Sequence, residues 1–474
     1  MPQSPPQNPL HERYASEEMA AIFGRDHRYR IWRRLWLTLA ECQRELGLPI
    51  TDEQIAALRA VADTIDFQRV AEIEAETRHD VVAHLRHFAE LAGDAGGILH
   101  LGATSAFVTD NTDLLLAREA LELVERRLAS AILALADFAR RTRDVACLGY
   151  THFQPAQLTT VGKRACLWIQ DLVLDLEALR RTVAELRCRG AKGTTGTQAS
   201  YLTLFDGDHE KVRRLDALVA ERLGFAAPFA VTGQTYPRKQ DTRILNVLAG
   251  VAESCHKLGT DLRLLQGVGE LAEPFDASQV GSSAMPYKRN PMRAERMCSL
   301  ARRLITDSLN GPLTAATQWL ERSLDDSANR RLVMGDSFLT ADAILGLAAG
   351  IAGRLEAHEE TIAARVAREL PFMATETFLM EGAVRGGDRQ ELHERIRRYS
   401  LEAWDLVARG EPNPLVERIA ADPAFGFTAE EGRALLDPVR FVGRAPRQVD
   451  EFLDAVVGPA VQGVERTVVE EPRV

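Results

Sequence analysis

Residues 111–143 read NTDLLLAREALELVERRLASAILALADFARRTR. Leu114, Leu121, Leu128 and Leu135 recur every seven residues, and Ala117, Val124, Ala131 and Phe138 repeat that interval three positions later. This double ladder is the a/d seam of a long helix packed almost parallel to its neighbours. At 1.5 Å per residue the stretch extends about 50 Å, so it needs partners of similar length. Two follow. One covers about 159–187, with Val161, Ala165, Trp168, Leu172, Leu176, Leu179, Val183 and Leu186 in steps of three or four. The other covers about 240–272, through Ile244, Val251, Cys255, Leu258, Leu262 and Leu265, with Pro274 closing it. Shorter helical patterns occupy about 292–309 and 327–355. No alternating β-branched run between turn signals competes with them, so an α/β fold is excluded. The expected fold is all-α: a central long-helix bundle over 107–355, a helical domain before it (1–106) and another after it (356–474).

The 474 residues exceed what one hydrophobic core organises, which agrees with several domains. Apolar residues make up 46% and charged residues 27%, ordinary for a globular chain. A formal charge of -10 argues against a nucleic-acid surface, which depends on Lys and Arg meeting phosphates. An anionic substrate would therefore need a local cluster of cations. The six cysteines are widely spaced without a C-x-x-C pair, a pattern suited to a reducing, cytoplasmic setting. No signal peptide and no unbroken run of 18 apolar residues is present, so no membrane partner is expected.

The composition changes in two loops, GAKGTTGTQAS at 190–200 and GSSAMPYKRNP at 281–291. Both are small and polar, the second being the expected mobile catalytic loop, and such loops inside a compact fold are usually functional. The P-loop, dinucleotide fingerprint, H-E-x-x-H and EF-hand patterns are all missing, and no cofactor is expected. His79, His84 and His87 cluster in RHDVVAHLRH, with His84 and His87 on one helical face. No carboxylate or thiol pattern completes a site there, so no metal is expected. Met285 and Met292 read as packing.

The segment QVGSSAMPYKRNPMRAER (279–296) resembles the serine loop of the fumarase/aspartase superfamily. GATSAFVTDN (102–111), ETRHDVVAH (76–84), GYTHFQPAQ (149–157), LERSLDDSANRR (320–331) and ELPFMATE (369–376) match in order, so the resemblance covers nearly the whole chain. It implies anti β-elimination of fumarate from a succinyl group. That reaction needs a base at the carbon next to a carboxylate, donors for the developing charge, and an acid for the departing nitrogen. By residue type alone, His152 or His79 would be the base. The resemblance instead assigns the base to Ser282, with Lys288 and Asn290 as donors to the succinyl carboxylates. It assigns the acid to His152, which the pattern places just ahead of the second long helix, and puts His79 at the catalytic centre. A serine hydroxyl titrates far above neutrality, so a nearby Lys288 and exclusion of water would have to make its alkoxide less costly.

For binding, the resemblance points to Arg13, Tyr14, Arg78, Asp80, Thr104, Ser105, Gln234 and Ser283, and to Arg296, Arg322, Ser327 and Arg331. Arginines suit bidentate recognition of phosphate and carboxylate, which answers the objection from net charge. Relatives acting on argininosuccinate, malate, aspartate or a lactonising muconate share the GSS loop. The RHD at 78–80, the YKRNPMR continuation and LDDSANRR point instead to a purine nucleotide substrate: adenylosuccinate, giving AMP, and the succinylated aminoimidazole carboxamide ribotide. The alternatives are another fumarate-releasing lyase, such as one for argininosuccinate, and a silent helical scaffold on the same fold. Ser105 precedes the first long helix and His152 follows it, yet the resemblance puts both in one site. The expectation is a homotetramer whose sites are shared between chains, its apolar seams forming a common core between protomers.

Overall fold

The computed structural model describes residues 8–276 and 278–464. The elements that position the site begin with α1 (Arg25–Glu45) and α2 (Asp80–Ala92), followed by α3 (Ser105–Arg141) and the hairpin strands β1 (Ala146–Thr151) and β2 (Gln154–Thr160). Then come α4 (Val161–Ala184), α5 (Lys239–Gly267), β3 (Leu271–Ala272), α6 (Met292–Asp307), α7 (Asp326–Gly353), β4 (Glu356–Ala357), α8 (Glu359–Met373) and α9 (Arg389–Ala408). Helices α3 to α7 pack side by side as a bundle, with α1 laid against α3. The fold is all-α, as the periodicity predicts.

All eight ladder residues of α3 are at most 2% exposed, and this seam is filled within one chain, chiefly by α4 and α7. The expectation that it packs between protomers is therefore wrong: burial of each leucine, worth roughly 2 kcal/mol, is complete before any second chain arrives. Helix α7 is the one described helix apolar and long enough to cross a membrane by composition. Yet 67% of that stretch is buried in the bundle, as in the core helix of a soluble protein.

Three boundaries differ from the sequence reading. Helix α3 starts six residues early, at Ser105, which leaves Asn111 inside the helix. Its buried amide donates to the Phe107 carbonyl and also pairs with the Gly190 backbone, tying the 190–200 loop to the helix. Helix α5 ends at Gly267, followed by Gly269 in a left-handed conformation and by β3 pairing with β4, so Pro274 does not terminate it. Residues 146–160, taken as loop and helix start, form an antiparallel hairpin. It is short, and only Cys147, Leu148, Leu158 and Thr160 are fully buried, too little alternation to read as strand. His152 is thus at a hairpin tip and not just ahead of a helix.

One continuous apolar cluster joins the N-terminal helices to the bundle. A second, from Ala374 to Phe427, belongs to the C-terminal helices, after which residues 445–461 return to pack on α4. Where α3 gives way to α4, Gly162 donates its N–H to the Thr142 carbonyl, and a Cβ there would lie 2.3 Å from the Ala139 carbonyl oxygen. Gly162→Ala should accordingly cost about 1–3 kcal/mol, read as a lower midpoint in chemical denaturation with unchanged helical circular dichroism. An unchanged midpoint would show that the α3–α4 junction is looser than described.

Candidate active site

The serine loop is closed at its neck. A Cβ on Gly281 would fall 2.0 Å from the Lys288 carbonyl oxygen, so only glycine lets the two strands of the loop approach. The Asn290 side chain donates to the Gly281 carbonyl (2.8 Å), and Gln266 of α5 donates to the Arg289 carbonyl (3.1 Å). Below the neck, the buried Glu273 carboxylate accepts the N–H groups of Arg293 and Ala294 in the first turn of α6 (both 2.9 Å). This is where a helix dipole favours an anion. Asp276 pairs with Arg293 (2.8 Å) and with Arg354 (2.7 Å). Between these anchors, Ser283 to Arg289 are exposed, Met285 among them, so that methionine is not packing. The Ser282 Oγ accepts from the backbone N–H groups of Ala284 (3.3 Å) and Met285 (3.1 Å). The Lys288 ammonium has no partner among the described residues, and Asn290 spends one of its two amide hydrogens on Gly281.

His152 and Phe153 form the two-residue turn of the β1–β2 hairpin, with φ of 53° and 58°. That geometry matches the twist of the strands but usually selects Asn-Gly, and a side chain there costs roughly 1 kcal/mol. The His152 imidazole is exposed and makes no hydrogen bond among the described residues. The hairpin is fixed lower down. Tyr150 Oη donates to Glu270 (2.6 Å), and Arg365 of α8 donates to both.

The other end of α3 gathers most of the binding candidates. Thr104 is the extended residue ahead of the helix and Ser105 its first residue. Beneath them, Arg238 forms a two-pronged pair with Asp110 (3.2 Å each) and reaches Asp326 (2.6 Å). Arg322 also pairs with Asp326 (2.7 Å). Arg330 joins Asp241 (2.7 Å), Asp113 (3.1 Å) and the Tyr236 hydroxyl, and Arg28 completes the set on Asp113 (2.7 Å). Four guanidiniums thus face four carboxylates. Burial opposes ionisation of Asp326 and Asp113, but the flanking arginines outweigh it and hold both carboxyls below their usual range. Gln234 is held through its backbone, donating to the Glu321 carbonyl (2.9 Å) and accepting from Arg189 (2.7 Å). Ser327 is the second residue of α7, next to Asp326. Arg331 stands 73% exposed, with Asp80 3.6 Å away.

Arg78 is a left-handed residue ending the helix before α2, and His79 is the cap residue of α2, 3.5 Å from Asp80. Arg13 and Tyr14 sit near Arg296 of α6, whose half-buried guanidinium forms no ion pair among the described residues and is pushed down by burial, with Glu273 close enough to oppose the shift. Sequence reasoning thus finds the outward residues but misses Asp110, Arg238, Asp241 and Arg330, which hold them. The signal lay in the motifs: Asp110 is in GATSAFVTDN and Arg330 in LDDSANRR, next to residues that were named.

The length of α3, about 55 Å for its 37 residues, separates Ser105 from the base of the His152 hairpin in one chain. The structure therefore does not bring the two together.

Comparison with known proteins follows these features. The Lyase family matches residues 15–306, and the family described as Adenylosuccinate lyase C-terminus matches 371–452. The chain is 49% identical to the adenylosuccinate lyase of Saccharomyces cerevisiae over 96% of this chain and 95% of that one. It is 47% identical to that of Schistosoma mansoni, with the same coverage. Among solved structures, the 3-carboxy-cis,cis-muconate lactonizing enzyme of Pseudomonas putida superposes with a TM-score of 0.81 at 23% identity, over 96% of this chain and 99% of that one. That likeness concerns the fold.

The neighbouring histidines of α2 are core residues. His84 stacks on Tyr29 (centroids 3.8 Å) and edges onto Trp32, while His87 accepts from the buried Arg33 guanidinium (2.6 Å). Burial, then the Arg33 charge, pushes His84 down to about 3. The folded state thus keeps His84 neutral, whereas the unfolded chain protonates it near pH 6.5. Its stabilising contribution is full above that pH and lost as pH falls towards 3. Between pH 6 and 4 this histidine should cost about 1.4 kcal/mol per pH unit. Denaturation midpoints at both pH values should show a shallower decline in His84→Phe than in wild type; parallel slopes would mean the imidazole is already charged in the fold.

Proposed function

The chain belongs to the lyase family and, within it, to the adenylosuccinate lyases, and on that premise we propose how its residues release fumarate. The substrates are adenylosuccinate, cleaved to AMP, and the succinylated aminoimidazole carboxamide ribotide of purine synthesis. The observation that carries the mechanism is the Ser282 Oγ held by two backbone N–H groups inside the closed neck of its loop. Hydrogen bonds to an ionised oxygen are worth about 1.5–3 kcal/mol each, so these donors lower the cost of a serine alkoxide, and Lys288 with the exclusion of water supplies the remainder. Ser282 takes the Cβ proton of the succinyl group, and charge builds on the adjacent carboxylate, opposite Lys288 and the remaining amide hydrogen of Asn290. The carbon–nitrogen bond then breaks as His152, on the opposite face, protonates the departing nitrogen. Ser283 contributes to the succinyl carboxylates, and His79 approaches the reacting group from the nucleotide side. Arg296, which forms no ion pair among the described residues and lies near Arg13 and Tyr14, offers an anion site, as do the outward Arg78 and Arg331. Thr104, Ser105, Gln234, Arg322 and Ser327 line the nucleotide end, with Asp80 as orienting partner of Arg331.

The assembly we propose is a homotetramer with shared sites, built from the three segments 1–106, 107–355 and 356–474. What supports it is the separation along α3, together with apolar side chains left outside the filled seam. Leu167 and Leu174, one heptad apart on α4, are 47% and 55% exposed, and Leu313, Trp319, Leu320 and Leu332 form a further exposed set. All six cysteines are unpaired and buried, which suits a reducing, cytoplasmic location.

Purified protein should release fumarate, followed by absorbance, from adenylosuccinate but not above background from argininosuccinate, malate or aspartate. Ser282→Ala should keep less than about a hundredth of that rate while still binding substrate. Preferred cleavage of argininosuccinate would remove the purine reading, and a fully active Ser282→Ala would move the base elsewhere.

Sharing of sites has its own test. Ser105→Arg and His152→Gln should each be inactive alone but regain activity when refolded together, because about a quarter of two-chain combinations then carry both native residues. No recovery in mixed tetramers, verified by native mass spectrometry, would mean that one chain supplies both.

A further inference from the structure

We propose that Glu270 is a positioning residue for His152, acting through Tyr150. The inference rests on His152 being the acid of the proposed elimination. The His152 side chain makes no hydrogen bond or ion pair among the described residues, and both residues of its turn are in the left-handed region. Its aim is therefore set by whatever holds the strands beneath. Glu270 is 1% exposed, set just past the end of α5 after the left-handed Gly269. Its Oε1 accepts from the Tyr150 hydroxyl (2.6 Å) and from Arg365 Nε (3.0 Å), while Arg365 also donates to the Tyr150 oxygen (3.1 Å). Arg164 of α4 lies 3.5 Å from the other oxygen. Burial, then the hydrogen bond to Glu270, pushes the Tyr150 phenol up, so it stays a donor at neutral pH.

The strand geometry passes this anchor on to the tip. Gly149 pairs with Gln157 but Tyr150 with Pro155, so the register steps past Ala156 in a bulge. A Cβ on Gly149 would sit 2.7 Å from the Gln157 carbonyl oxygen, so glycine permits the step. Bulges re-aim side chains. Here the Tyr150 ring, anchored at its hydroxyl, packs on Phe153 in the turn itself (centroids 5.5 Å). The fixed point is thus two residues from the imidazole on one side and touches its immediate neighbour on the other. Glu273, three residues beyond Glu270, caps the helix that closes the serine loop. One short segment therefore ties down both the acid-bearing hairpin and the base-bearing loop.

Tyr150→Phe in the full-length enzyme removes the hydroxyl but keeps the ring. For adenylosuccinate its kcat should fall about tenfold to a hundredfold, the range for a misplaced catalytic group, with KM within about twofold. A substrate analogue with a better leaving group should lose much less, since it needs less help from the acid. Hydrogen–deuterium exchange should quicken over residues 146–160 while the thermal midpoint moves by no more than about 2 °C. Glu270→Gln should resemble Tyr150→Phe, and the double variant should be no worse than either alone. If Glu270→Gln does not fold, because Arg164 and Arg365 lose their counter-charge, Tyr150→Phe still decides. Wild-type kcat in Tyr150→Phe, or equal losses with both substrates, would overturn the positioning role. Wild-type protein that releases no fumarate would instead refute the activity on which it rests.

Discussion

The rest of the structure depends on the stiffness of one helix. Helix α3 runs 37 residues, and its apolar ladder is buried along the whole length by neighbours from the same chain. Bending it would open that seam at roughly 2 kcal/mol for each leucine uncovered. Its ends are therefore held about 55 Å apart, and what attaches to each end stays there. The first end carries Thr104, Ser105 and the arginines that would meet a nucleotide. The second leads into the His152 hairpin. No adjustment of loops within one chain closes such a gap, so the proposal that sites are shared between chains rests on the same geometry that stabilises the monomer.

Both ends are pinned by buried charge. Desolvating an ion costs several kcal/mol, recovered only when geometry and hydrogen bonding are good, and removing one partner of a buried pair costs about 3–5 kcal/mol. Near the start of α3 the accounts balance, with Arg28, Arg238, Arg322 and Arg330 against Asp110, Asp113, Asp241 and Asp326. Each carboxylate joins segments distant in sequence, so the network fixes the 320–331 segment against α3 and α5. Arg331, one residue past Arg330, is left facing outward. Glu270 and Glu273 do the equivalent at the far end of α5. A greasy core could supply equal stability, but it would not set the directions of neighbouring polar groups as a two-pronged guanidinium does.

Much of this was legible in the sequence, for a physical reason. Periods of seven and of three or four register burial on a helix face, so the bundle and its buried positions follow from them. The chemistry-bearing loops stood out because small polar residues interrupt aliphatic helices. What escaped was whatever depends on contacts between distant segments. The helix runs on for six residues ahead of Asn111, whose amide meets the distant Gly190 backbone. The hairpin carries little alternation, since its stability comes from Glu270 and Arg365. Arg330 and Arg331 are indistinguishable as letters, yet one is turned inward between carboxylates and the other is exposed. The seam of α3 told how long the helix is but not which chain covers it, because an apolar stripe does not specify its partner.

The two carriers of the proposed chemistry are built on different principles, and the reaction explains why. An anti elimination needs base and acid on opposite faces of the substrate, so they cannot share one support. The acid is on a hairpin tip whose strands are hydrogen-bonded to each other and clamped to a buried carboxylate, a support that holds direction. The base is on a loop closed at the neck by Gly281, Asn290 and Gln266, with its tip exposed. For the serine, direction matters less than the state of its oxygen, and that is set locally. Two N–H groups from the next turn of backbone, those of Ala284 and Met285, reach the Ser282 oxygen. The imidazole has above all to be aimed, whereas a serine hydroxyl must first be made acidic enough to act. Rigid strands meet the first requirement, and a self-contained turn of backbone donors meets the second.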